Sequence, residues 1–296
     1  MLFSPRHYDS LILTVTNKRK LRPLPALIAA LLCGACAAMQ PPDAGGPEAG
    51  PPYPVMLSEL AQRRESSILA LKQFVRGDSS TTVTETYLQP VTATIRNLPA
   101  KLSTPLYLPK VGSQAQMNEE ETREALRRFI NDSRNLIGAN PAQLSLVERV
   151  DQPDGTKMAR YEQRPFRYPL RGDYGKLEIS FTGDRRLLNL SSTCIPDAER
   201  LQPSLAAITP RLTAEDAIKR VRNSTISFGN SPGTQQTYQL SASNELKATE
   251  LVIYVFPSST SPNSLEFHIA WEVVVSSAPF KSVYVDAYRE SIIAAS

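Results

Sequence analysis

Hydrophobic positions along the chain change period several times. Leu57, Leu60, Ile68, Leu71 and Val75 fall near helical spacing with Glu, Arg and Lys between them, which predicts that the first folded piece is a helix docked on the domain C-terminal to it. The next stretch, T-T-V-T-E-T-Y-L-Q-P-V-T-A-T-I-R-N-L, is rich in β-branched residues and reads as one or two strands. A second helix is predicted from Glu119 to Leu136, with Leu126, Phe129, Ile130 and Leu136 on one face and Gly138 placed to stop it.

The period then drops to two. Met158, Arg160 and Glu162 alternate with Ala159 and Tyr161, and Leu177, Ile179 and Phe181 alternate with Glu178 and Ser180. The turn signals Pro153-Asp154-Gly155 and Thr182-Gly183-Asp184 give the rhythm of an antiparallel meander, to which Arg185 to Ser191 adds a strand. Thr213 offers an N-cap to a third helix, with Glu215 and Asp216 in its first turn. Three strands come next: Glu250 to Phe256, Leu265 to Ser276 and Lys281 to Ala287. In the middle one Phe267, Ile269, Trp271, Val273 and Val275 share a face. The pattern predicts an α+β protein, antiparallel sheets each packed with helix, in two consecutive subdomains at 55–205 and 206–296.

The N-terminal residues predict a different fate. A basic cluster (Lys18, Arg19, Lys20, Arg22) leads into an apolar stretch from Leu24 to Leu32, the order of a secretory signal and too short to span a bilayer. The segment L-L-C-G-A-C-A-A resembles a bacterial lipobox, which implies cleavage after residue 35 and lipidation of Cys36. By the same resemblance, Ala37 favours the outer membrane in a cell with two. Residues 36–54, rich in Pro and Gly, read as a disordered tether.

Export also changes the charge picture. Residues 1–35 hold 5 of the 33 basic and 1 of the 29 acidic residues, leaving 28 of each in the mature chain. A neutral chain gives no electrostatic reason to bind nucleic acid. With Cys36 acylated, Cys194 is unpaired and reads as a small half-buried residue.

Several stretches carry a family likeness. L-T-A-E-D-A-I-K-R-V from Leu212, then L-V-I-Y-V-F, F-H-I-A-W-E-V-V-V and V-Y-V-D-A-Y resemble the PepSY domain that ends the propeptide of thermolysin-like metalloproteases. F-I-N-D-S-R-N-L-I-G, A-Q-L-S-L-V-E, M-A-R-Y-E-Q, Y-G-K-L-E-I-S-F and D-R-R-L-L-N-L resemble the fungalysin/thermolysin propeptide (FTP) domain that precedes it. Together they cover roughly Thr82 to Ile293. The resemblance implies an FTP-like subdomain over 55–205, a PepSY-like one over 206–296, and docking against a metalloprotease. The family closes with D-A-H-T-G-E, whereas here Asp286-Ala287 is succeeded by Tyr288, Arg289, Glu290 and Ser291. No protease domain intervenes before Ser296.

Catalytic chemistry is poorly provided for. A zinc protease needs two imidazoles one helical turn apart plus a Glu; after loss of His7 with the signal, only His268 remains. It lies on the strand face opposite Phe267, Ile269 and Trp271, expected toward solvent or a neighbouring element. There is no Walker loop and no Rossmann-like glycine motif. No catalytic, cofactor-binding or metal-ligating residue is therefore expected. Glu119, Glu120 and Glu121 read as complements to a helix dipole. Arg160, Tyr161 and Gln163 match a family R-Y-x-Q stretch but suit cross-strand hydrogen bonding, and Trp271 suits the core. The segment S-F-G-N-S-P-G-T-Q-Q-T reads as a polar loop. Two functions are compatible with these residues: a lipid-anchored module that inhibits or chaperones a secreted or envelope metalloprotease in trans, or a structural or ligand-binding envelope lipoprotein with no such partner.

Overall fold

The computed structural model describes residues 52–75, 83–100, 102, 104–113, 116–229 and 235–296. The signal segment, Cys36 and nearly all of the tether lie outside the described residues. Tyr53, read as the tether's end, lies inside them and is part of the fold. The architecture is α+β. Its strands are β1 (Val55–Ser58), β2 (Leu144–Asp151), β3 (Thr156–Gln163), β4 (Leu170–Gly172), β5 (Lys176–Thr182), β6 (Leu187–Ser192), β7 (Thr225–Phe228), β8 (Gln236–Gln239), β9 (Leu246–Pro257), β10 (Ser264–Val275), β11 (Ser282–Asp286) and β12 (Ile292–Ala295). Its helices are α1 (Ala61–Phe74), α2 (Glu119–Asp132), α3 (Arg134–Ile137), α4 (Ala198–Ala206) and α5 (Ala214–Val221).

The meander forms a four-stranded antiparallel sheet in the order β2-β3-β5-β6. Its inward side chains Leu177, Ile179, Phe181 and Leu190 meet Leu126, Phe129 and Ile130 of α2 and Leu71 of α1 in one core. Asn118 caps α2 by accepting from the Glu121 amide at 2.9 Å while the Glu121 carboxylate takes the Asn118 amide at 2.9 Å, so Glu121 serves the helix end as a capping box. The long second helix breaks at Ser133 into α2 and α3, and Gly138, at φ +83°, ends it; a Cβ there would stand 2.5 Å from Thr94 Cγ2.

The larger sheet runs β12-β11-β10-β9-β4, with β1 on the β11 side of β10. α5 packs across β9, β10 and β11. It starts at the predicted cap, where Thr213 Oγ1 accepts from the Asp216 amide at 3.2 Å. Phe267, Ile269 and Val273 form the second core with Ala217, Val221 and Leu205. Both β1 and β4 come from the chain before residue 206, so the earlier half contributes two strands to the sheet that the later half builds. β1 pairs antiparallel with residues 264–267 of β10, and β4 pairs parallel with residues 253–255 of β9.

Three expectations differ from the structure. The first folded piece is a strand: Leu57 lies in β1 and Leu60 is 50% exposed, leaving Leu71 and Val75 as the fully buried anchors of this segment. The β-branched stretch of residues 83–98 makes only a 3-10 turn at Glu85–Tyr87 and one bridge between Leu88 and Ile95. Pro90 interrupts its pairing, and the buried hydroxyls of Thr92 and Thr94 bond each other at 2.8 Å, with Thr94 also donating to the Ser192 carbonyl at 2.8 Å. The polar loop is flanked by strands, since β7 and β8 pair from Phe228↔Gln236 to Thr225↔Gln239; its residues 230–234 lie outside the described set.

Candidate functional site

The large sheet has one face under α5 and another on which alternate residues bring a different set together. On β10 these are Glu266, His268, Ala270 and Glu272; Tyr254 and Phe256 stand beside them on β9, and Tyr284 and Asp286 on β11. The rings line up: Phe256 stacks on His268 with centroids 5.0 Å apart, and Tyr254 lies 4.3 Å from Tyr284. At the β4 edge Arg171 reaches over the face, donating to Glu272 at 3.2 Å and to Glu250 at 2.7 Å. Tyr284 completes the row through Glu272 at 3.1 Å, and burial pushes its phenol up to about 12.

His268 does not face solvent. It is 3% exposed, held between two carboxylates: Nδ1 is 2.6 Å from Asp286 and Nε2 is 3.0 Å from Glu266. Both ring nitrogens are thus taken up by carboxylates. Tyr53 closes the network from the N-terminal arm; its hydroxyl donates to Asp286 at 2.8 Å and accepts from the Ile269 amide at 3.2 Å. The other Asp286 oxygen takes the amides of Tyr288 and Arg289 at 2.8 and 2.7 Å. Ser258 donates to Glu266 at 2.6 Å.

Burial pushes both carboxyls up. Hydrogen bonds from His268 and the Arg289 amide to Asp286, and from Ser258 and His268 to Glu266, outweigh it and hold both below the usual carboxylate range. Burial, then the adjacent Asp286 charge, pushes the Tyr53 phenol well above its ordinary range. The network thus clasps the first described residues to the turn after β11, and Arg289 tightens it by donating to the Tyr53 carbonyl at 2.6 Å.

A groove of ≈ 1030 Å³ runs beside this face, with Tyr254, Tyr284 and Arg171 on the sheet side and Arg164, Phe166 and Lys176 on the wall. Burial pushes the Cys194 thiol up to about 12, so at neutral pH it is neither thiolate nor nucleophile. Arg160 spans Glu148 at 2.5 Å and Glu178 at 3.0 Å across the meander, and buried Gln163 holds both backbone groups of Ile195, at 2.9 and 2.7 Å. Trp271 donates to the Leu212 carbonyl at 2.8 Å from a half-buried position in the second core. Among the described residues no cluster of three or more His, Cys, Asp or Glu could hold a metal ion, and no helix is long and apolar enough to cross a membrane.

Alternation along β10 placed His268 on the face opposite Phe267, but the sequence reading singled out none of its partners Glu266, Asp286 and Tyr53. The Tyr53–Asp286 contact joins segments 233 residues apart.

No protein-family model matches the chain. Nor does any curated protein. Among solved structures, the C-terminal domain of Bacillus megaterium YpeB superposes with a TM-score of 0.31 at 9% identity, over 81% of this chain and 98% of that one.

Proposed function

We propose that the chain is a non-catalytic protein-binding module of the bacterial envelope, anchored through a lipid on Cys36, that engages its partner across the α5-free face of the large sheet. The partner class is the one the propeptide resemblance implies: a secreted or envelope metalloprotease, inhibited or helped to fold in trans. The observation that carries this reading is the composition and shape of that face. Tyrosine and arginine, the residue types enriched at interface hot spots, line a wide, polar groove, whereas small-molecule sites are typically enclosed and apolar. The buried histidine supports a non-catalytic role, because both of its nitrogens are already committed to carboxylates.

The test is to incubate the exported chain with envelope extract, recover the bound proteins and assay thermolysin-type activity with and without the chain. A metalloprotease is expected in the bound fraction, with its activity altered. Arg164→Glu and Tyr254→Ser should abolish both effects without lowering the melting temperature by more than a few degrees. No protease recovered and no change in activity would overturn the partner.

A further inference from the structure

A second, smaller cavity lies away from the sheet face, where β1, the first turn of α1, the segment around Val91 and the start of α4 converge. It measures ≈ 190 Å³, and Leu57, Leu60, Val91 and Leu201 give it aliphatic walls. Three charged side chains border it: Arg63, Arg200 and Asp197. None of them forms an ion pair within 4.0 Å among the described residues. The Asp197 side chain does not cap α4, although its residue stands at the cap position with φ +52°. Arg63 is the least satisfied of the three. One Nη donates to the Asn135 carbonyl at 3.3 Å, while its Nε is buried with no hydrogen-bond partner. Burial lowers the proton affinity of this guanidinium, and the nearby Asp197 charge only partly restores it.

A half-buried guanidinium whose Nε has no hydrogen-bond partner and which lacks an ion pair is costly to keep charged, and an anion beside it would offset that cost. Two positive charges against one negative leave a surplus of one. We infer that this cavity binds a branched aliphatic monocarboxylate, with the alkyl group against Leu57, Val91 and Leu201 and the carboxylate between Arg63 and Arg200. The same chemistry is offered by a small free acid and by the C-terminal residue of a polypeptide ending in Leu, Val or Ile. Guanidinium is the cation best matched to a carboxylate, by its planar fork of donors.

The experiment titrates the isotopically labelled exported chain with 4-methylpentanoate and with the peptide Ala-Ala-Leu, each beside its amide, and tracks backbone amide shifts. The acids should move the signals of Leu57, Val91 and Leu201, and the amides should bind about tenfold or more weakly, as expected for loss of one charged hydrogen-bonded contact. Arg63→Met should weaken the acids by a similar factor. Arg200→Met, at an exposed rim position, should do so while leaving the fold untouched. Stronger binding of the peptide assigns a chain terminus, and stronger binding of the free acid assigns a small metabolite. Equal binding of acids and amides, no binding at millimolar concentration, or shifts confined to the Tyr254 and Arg164 groove would overturn the assignment. Protease capture by the sheet face stays intact in the Arg200→Met variant, so the two proposals fail independently.

Discussion

Glu290 adopts φ +58° in the turn after β11. An L-residue in that left-handed region costs about 1 kcal/mol, which glycine does not incur. Here the exposed carboxylate pairs with Arg220 at 2.8 Å, a contact worth a fraction of that cost. Glu290→Ala keeps the strained backbone and loses the pair, whereas Glu290→Gly loses the pair and relieves the backbone. In urea denaturation the glycine variant should be more stable than the alanine variant by about 1 kcal/mol. Asp286 makes a sharper case. Its carboxyl titrates below its unfolded value, so its contribution is present above about pH 4 and is lost as pH falls from there through the folded value. Asp286→Asn should cost about 2 to 4 kcal/mol at neutral pH, because it breaks a buried network. The gap between wild type and variant should narrow below pH 4 in urea midpoints measured across pH. Glu266 shifts in the same direction and adds to the acid loss.

Elements with strong local signals were legible from the residues alone. The alternation at 158–162 and 177–181, the Thr213 cap and the run from Phe267 to Val275 each gave an element of the right type in nearly the right place. Elements that depend on distant partners were not. β1 is four residues long and forms because β10 has an open edge at 264–267; β12 forms against β11 in the same way. α4 carries Pro203 inside it, which argues against a helix on propensity, yet burial of Ala198 and Leu205 holds it. The candidate site was only half legible for the same reason. Glu266 and His268 share a strand, while Tyr53 and Asp286 arrive from opposite ends of the chain. At β4 the decisive residue is Gly172, with φ +92°, where a Cβ would stand 2.6 Å from the Val255 carbonyl oxygen. Gly172→Ala should push β4 off β9 and lower stability by about 2 kcal/mol or more. Hydrogen exchange should show the loosening at the Ile253 amide, which the Pro169 carbonyl accepts at 2.9 Å.

For the whole molecule, the proposed anchoring puts the groove and its partner at the membrane surface. Cys36→Ser should move the protein from the membrane to the soluble envelope fraction on fractionation, and retention in the membrane would remove the lipid from the account. Capture of the partner by the soluble variant should be unchanged, because the described fold begins beyond that residue.

The pairing of β1 with β10 has a consequence for how the chain reaches its native state. Ser58 and Ser264 face each other across 206 residues, so β1 has no partner until most of the chain has emerged. The meander with α2 closes over short loops and is free to form early; the large sheet must wait for long-range closure, which makes it the slow step of folding. A chain cut before residue 264 therefore keeps the meander but leaves β1 without its partner and β9 with an open edge where β10 would pair, a species prone to aggregate.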